Sequence, residues 1–223
     1  LKHHGGVQKE DLGKEDLAAL EKGLPNLLRH VENITKVFGL PCVVAINAFS
    51  TDTPAELNLI KQKCHELGVN VTLSEVWAKG GEGGEALAKE VLRLCETKSE
   101  CRFCYDVNDS IPDKLNAIAK KIYHADGVDL TGPAKKQLKL LTDLHFDKLP
   151  ICMAKTQYSF SDDAALLGAP NGFRITVKNL KVNAGAGFLI AQAGDIMTMP
   201  GLPKVPAADK IDIDESGKIT GLF

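Results

Sequence analysis

"PCVVAINAFSTDTPAELNLIKQKCHELGVNVTLSEVWAKGGEGGEALAKEVLRL", residues 41–94, alternates between two periods. Its first nine residues, 41–49, form a continuous apolar, β-branched run of strand length. Such a run fits a parallel strand covered on both faces. "TPAE", 53–56, supplies a threonine cap, a proline at the first helical position and a glutamate that closes a capping box. The helix it opens runs to about Leu67 and stops at Gly68. "VNVTLSEVW", 69–77, reads as the next strand, and "GGEGGEALAKEVLRL", 80–94, turns into another helix. Strand, helix, strand and helix in succession point to an α/β fold. The expected form is a doubly wound, mostly parallel sheet with helices on both faces.

The same reading extends outward in both directions. Leu17, Leu20, Leu24, Leu27, Val31, Ile34 and Phe38 recur at three and four, a helical stripe that Pro25 should break or kink and Gly39 can end. "CRFCYD", 101–106, reads as a short strand, and Ser110 with Asp113 caps the helix "DKLNAIAKKIY", 113–123. The tail changes character. "GFRITVKNLKVNAGAGFLIAQAG", 172–194, alternates and carries glycines, so antiparallel strands are expected there. "MPGLPKVPAADK", 199–210, is rich in proline and should be neither helix nor sheet. "DDAALLGAPNGF" and "DIDESGK" read as turns, and the second lacks the spacing of a calcium-binding loop.

Composition sets the frame for function. The 223 residues are 44% hydrophobic with a net charge of −2, which gives no electrostatic case for nucleic acid or an anionic membrane. No apolar run reaches membrane-spanning length. Six scattered cysteines without an export signal read as reduced thiols of a cytoplasmic protein. "LKHHGGVQ" opens in mid-phrase without methionine, so the chain is expected to be part of a larger protein.

Ligands of open α/β sheets bind beyond the carboxyl ends of the parallel strands. Phe49 and Trp77 each fall at such an end. If the strands are neighbours, the two rings can clamp a flat heteroaromatic; the alternative is that both simply cap the core. Gly80, Gly81, Gly83 and Gly84 also have two readings: an anion-holding loop at a helix N-terminus, or a tight strand-to-helix turn. "GEGGEA", 81–86, matches the variant dinucleotide fingerprint G-x-G-x-x-A, yet Glu82 and Glu85 would repel a pyrophosphate. The P-loop pattern G-x-x-x-x-G-K-[ST] occurs nowhere in the chain. Cys101-x-x-Cys104 has no second pair at zinc-site spacing, so no metal site is expected. His3 and His4 adjoin a glycine pair; His30, His65, His124 and His145 fall on or near helices and read as structural.

Several longer stretches carry a resemblance: "KHHGGV", "HVENITKVFGLPCVVAINAFSTDTPAEL", "LSEVWAKGGEGGEALA", "MAKTQYSFSDD", "GAGFLIAQAGDIMTMPGLPKVPAADKIDID" and "GKITGLF". They resemble, collinearly and from end to end, the formate–tetrahydrofolate ligases, most closely the bacterial single-function form. The resemblance implies a ligase of one-carbon metabolism. Such an enzyme activates formate with ATP to formyl phosphate and transfers the formyl group to N10 of tetrahydrofolate. It also implies Mg²⁺ with the nucleotide, a monovalent cation such as potassium as activator, and a homotetramer. By the same resemblance Phe49 and Trp77 stack on the pterin ring, Leu73 adds an apolar contact, and Gly80, Gly81 and Gly83 form pocket wall.

The family's P-loop and its formyl-phosphate-binding lysine and arginine match nothing in this chain. The expectation is therefore a C-terminal, folate-side portion, inactive alone. Residues 1–40 would be a helical remainder of a nucleotide-binding domain, 41–160 an α/β folate-side domain, and 161–223 a β segment with a proline-rich tail. Ala48 stands where arginine is frequent, Ser50 where proline is, and His3 where methionine is usual. Two other readings stay open: a non-catalytic folate-binding or assembly fragment, and a dinucleotide-binding oxidoreductase module.

Overall fold

The computed structural model describes residues 1–196 and 204–221. The Asp16 carboxylate accepts the Ala19 N–H at 2.8 Å and starts helix α1, Leu17–Glu32. The helix passes through Pro25 without breaking there, because its stripe of Leu20, Leu24 and Val31 is buried on both sides of the proline. A wider π turn over Asn33–Val37 follows, and Gly39, at φ +68°, swings the chain into strand β1, Val43–Asn47. Helix α2, Pro54–His65, then leads to strand β2, Asn70–Ser74. A short helix α3, Val76–Lys79, a 3-10 turn over Gly80–Gly84 and helix α4, Glu85–Cys95, complete this part.

Strands β1 and β2 pair in parallel, Val43 opposite Asn70 through Asn47 opposite Ser74. Their inner side chains meet α1 and α2 in a core of Leu20, Leu24, Val31, Val44, Ile60, Cys64 and Val69. The 41–49 run promised cover on both faces. Burial instead alternates along β1, with Val44 buried and Ala45 and Asn47 exposed. Helix α4 lies mainly along β2 and buries no residue of its own, so it does not seal the second face.

The capping box forms as read. Thr53 Oγ1 accepts the Glu56 N–H at 3.3 Å, and Glu56 Oε2 accepts the Thr53 N–H at 3.4 Å. Glu56 does more than close the box. Its Oε1 accepts the Asp16 N–H at 3.1 Å and pairs with Lys2 Nζ at 2.8 Å, and the residue is only 4% exposed. Burial alone pushes this carboxyl up. The hydrogen bonds from Lys2, Asp16 and Thr53 outweigh it and hold the group below the usual glutamate range.

A second core gathers around a four-stranded sheet. Helix α5, Ile111–Lys121, starts at Ser110, whose hydroxyl accepts the Asp113 N–H at 3.3 Å. It is followed by β3, Gly127–Leu130; α6, Gly132–Asp143; β4, Ile151–Ala154; β5, Arg174–Asn183; and β6, Phe188–Ala193. The strand order is β3-β5-β6-β4. β5 and β6 are antiparallel, as the tail pattern suggested, while β3 and β4 flank them in parallel. Leu115, Ile175, Val177, Leu189 and Ala191 fill the space beneath α5 and α6. The fold class is mixed α/β, with parallel strands, helices and an antiparallel pair, its strands divided between separate sheets.

The 101–106 run is not a strand. Scattered contacts serve its backbone in place of a ladder: the Arg102 N–H donates to Phe38 O at 2.9 Å, Lys121 Nζ donates to Cys104 O at 2.6 Å, and the Asp106 N–H donates to Asp109 Oδ2 at 3.0 Å. In the proline-rich segment, 199–203 lie outside the described residues, and Ala207–Lys210 form one 3-10 turn. The 212–218 turn closes a small hairpin of β7, Asp212–Ile213, and β8, Ile219–Thr220.

Glu56 yields a pH-dependent expectation. A carboxylate held below its ordinary pKa contributes stability above about pH 4.3, and that contribution fades as pH falls through the folded value. Glu56→Gln should therefore cost about 3 kcal/mol at neutral pH, because it leaves Lys2 buried without its charge partner. The gap between wild type and variant, followed by urea unfolding, should hold above about pH 4.3 and narrow over the acid range below it. A gap that stays constant over that range would show that the charge of Glu56 contributes nothing.

Candidate functional site

The parallel pairing puts the ends of β1 and β2 side by side. Asn47 stands opposite Ser74, and Ala48 N–H donates to Ser74 O at 2.9 Å, so the chains leave the sheet together. Phe49 follows two residues after Asn47. A tight turn fixes it: Asp52 Oδ2 accepts the Phe49 N–H at 2.9 Å, and the Asp52 N–H donates to Phe49 O at 3.0 Å.

Trp77 does not continue β2, as the 69–77 reading expected. The strand ends at Ser74, Glu75 leaves the extended conformation, and Trp77 lies on α3, three residues beyond the strand. Leu73 is therefore on the strand and Trp77 is not; Leu73 is half-buried opposite Ile46. Helix α3 is held at its root. Glu75 O accepts the N–H of Ala78 at 3.0 Å and of Lys79 at 2.9 Å, and the Lys79 ammonium meets the Glu75 carboxylate at 2.8 Å.

Both aromatic rings stand in solvent, Phe49 61% exposed and Trp77 67%. That removes the reading in which they cap the core. Two large rings on one rim, at the carboxyl ends of hydrogen-bonded parallel strands, are where an open α/β sheet takes its ligand. A cavity of about 330 Å³ opens beside Phe49, between β1 and the α1 and α2 helices, with Asp52 and Glu56 in its wall.

The glycines are settled by steric contact. Gly83 packs against the backbone of Glu75, and a Cβ there would lie 2.4 Å from Glu75 O. Its own carbonyl accepts the Glu75 N–H at 3.0 Å. Gly80 sits at φ +60°, ψ −142°, a conformation that favours glycine strongly. Gly81 meets nothing within 4 Å. The run is thus a turn that folds back and braces α3. A dinucleotide fingerprint places its glycines in the turn directly after the strand. Here α3 intervenes between Ser74 and Gly81, so the 81–86 match lacks its structural context.

The remaining candidates disperse. His65 ends α2, while His124 and His145, at φ +56° and +60°, take the left-handed turns that follow α5 and α6. His3 Nδ1 bonds Val7 O at 3.0 Å. All six cysteines are free, Cys101 exposed and Cys104 buried, and no group of three metal-ligating side chains forms among the described residues. No helix among them is long and apolar enough to cross a membrane. Asp52 and Glu56 were not singled out from the sequence as site residues. The i, i+3 spacing of Asp52 from Phe49 is the signal that could have found the first.

A family model described as formate–tetrahydrofolate ligase matches residues 1–223 of the chain.

The bracing role of Gly83 separates it from its neighbour. Gly83→Ala should destabilise the chain by about 1–3 kcal/mol and displace α3, whereas Gly81→Ala should be close to neutral. Thermal unfolding measures the first effect. The emission of Trp77, the only tryptophan, reports the second. Equal behaviour of the two variants would show that the Glu75 contact does not hold the turn.

Proposed function

The chain belongs to the formate–tetrahydrofolate ligase family, and we propose that it carries the folate-side pocket of that ligase, with Phe49 and Trp77 as the two faces between which the pterin ring stacks. The observation that carries this reading is the exposure of both rings on one rim of a parallel strand pair. Stacking contributes roughly 0.5–1.5 kcal/mol per aromatic pair beyond the area buried. Leu73 would add an apolar contact from the sheet, and Gly80, Gly81 and Gly83 would shape the wall by bracing α3. The Asp52 turn would keep the Phe49 backbone in place while the ligand enters.

The overall reaction of the proposal joins formate to tetrahydrofolate at the expense of ATP, by way of formyl phosphate. The residues here do not fit the nucleotide and its Mg²⁺. No G-x-x-x-x-G-K-[ST] pattern occurs in the sequence, and no cluster of three ligating side chains forms among the described residues. The part of these residues is to bind and orient the folate. Activation by a potassium-like cation, homotetrameric assembly and a cytoplasmic location belong to the same proposal. Purified alone and supplied with ATP, formate and tetrahydrofolate, the chain should form no 10-formyl product above background. Turnover at the level of a complete ligase would overturn the folate-side assignment.

The clamp has its own test. Tetrahydrofolate should quench Trp77 emission saturably. Phe49→Ala should weaken that binding roughly tenfold to a hundredfold, the loss of one stacked face together with its apolar contact. Trp77→Ala, followed by calorimetry, should do the same with little change in melting temperature, because the ring is exposed. Removal of a buried tryptophan would instead cost about 3–5 kcal/mol of stability. A sharp fall in melting temperature with folate affinity intact would sink the clamp.

A further inference from the structure

A second cavity, of about 350 Å³, opens where the N-terminal turn Lys2–Gly5, α1 and the segment after β4 meet. It shares no lining residue with the cavity beside Phe49. His4, Asn26, His30, Lys155 and Phe160 stand in its wall, and among the described residues no aspartate or glutamate does.

Gly168, in the segment after β4, is held at this joint by the peptide groups on both its sides. Its carbonyl accepts Asn26 Nδ2 at 2.9 Å, and its N–H donates to His4 Nδ1 at 3.1 Å. A backbone N–H can only donate, so Nδ1 carries a lone pair and the ring proton sits on Nε2. An imidazolium has a proton on each nitrogen and no acceptor left. The bond to Gly168 therefore exists only while His4 is uncharged. Phe160, 4% exposed, seats the same segment on α1: its ring lies 4.7 Å from the His30 ring and 6.0 Å from the Arg29 guanidinium carbon.

The charges that face this contact are mostly positive. His4 faces His3, His30 and the amino terminus. His30 faces Lys155, whose ammonium donates to the carbonyls of Thr156, Ser159 and Ser161. Arg29 on α1 meets Glu32 at 3.7 Å, with His124 close to both. Glu32 is shared with Lys36 at 3.3 Å, and Asp162, the acid that faces Lys155, accepts the Thr176 N–H at 2.8 Å. Burial, then the amino terminus, His3 and His30, hold the His4 imidazole below its ordinary range; burial and then Lys155 do the same to His30. A base held below its ordinary pKa takes up its proton more readily in the unfolded chain. Its contribution to stability is full above about pH 6.5 and is lost as pH falls through the folded value.

We propose that His4 and Gly168 form an acid-released latch: the neutral imidazole holds the segment after β4 against α1, and protonation of His4 releases that segment and opens the joint between the two cores. The latch stands independently of the pterin clamp, because the two cavities have no wall residue in common.

The test is hydrogen exchange of the Gly168 amide in the intact chain, followed by NMR from about pH 7.5 to about pH 4.5 and corrected for the intrinsic pH dependence of exchange, with the His4 ring nitrogens observed in the same samples. At the upper pH Nδ1 should be unprotonated. As the ring becomes imidazolium, Gly168 protection should fall about tenfold, the size of one hydrogen bond, while amides of the β5–β6 pair keep theirs. Nuclear Overhauser contacts between Phe160 and His30 should weaken in parallel. His4→Asn puts an acceptor that does not titrate in the place of Nδ1, and should keep Gly168 protected at both ends of the range. His4→Phe removes the acceptor and should leave Gly168 equally unprotected at both. Protection that survives protonation of His4, or a ring that stays neutral down to about pH 4.5, would overturn the latch. Acid loss of protection in His4→Asn would assign the release to another group, and unchanged Phe160–His30 contacts would show that the segment stays in place.

Discussion

The parallel pairing of β1 with β2 sets the position of everything on the candidate rim. Its five paired positions end at Asn47 and Ser74, so both chains leave the sheet on the same side and at the same height. Phe49 and Trp77 then both follow strand ends on one edge, two and three residues beyond Asn47 and Ser74. Side chains along a strand point to alternate faces, so a slip of one residue would turn Val44 and Ile46 out of the core and misplace both rings. The register is thus held by the core on one face while it serves the rim at its end.

Glu56 ties that sheet to the start of the chain. Its carboxylate receives the helix-start N–H of Asp16, the Thr53 N–H and the Lys2 ammonium. α1 and α2 therefore begin at a common point. A buried carboxylate is unfavourable unless paired and hydrogen-bonded, and here every interaction that compensates it also aligns an element. Gly83 does corresponding work at the root of α3, where its close approach to Glu75 and Val76 holds the glycine turn in place.

The two cores meet through few polar contacts. Asn26 Nδ2 donates to Gly168 O at 2.9 Å, Asn33 Nδ2 to Ile122 O at 3.0 Å, and the Gly168 N–H to His4 at 3.1 Å. These bonds surround the second cavity. Its polar wall follows from this position, since neither apolar core extends across it.

Local physics was legible in the sequence. The capping box at Thr53, the cap at Ser110, the strand cores at 43–47 and 70–74, and the antiparallel tail strands depend on residues close in the chain, and they stand where the pattern put them. Strand order put Phe49 and Trp77 just beyond the ends of two paired parallel strands, though Trp77 falls on α3 and not on the strand. Decisions made between distant residues were not legible. The 101–106 run has strand composition, but the Lys121 ammonium and the Phe38 carbonyl take backbone contacts that a ladder would need. The glycine run could be phosphate loop or turn until Gly83 was seen against Glu75. Asn33 lies off the helical stripe, between Val31 and Ile34, and carries no motif; only the tertiary structure gives its Nδ2 the Ile122 carbonyl and leaves its Oδ1 buried and unpaired. Sequence determines which groups can make a contact, and tertiary structure decides which of them are left without one.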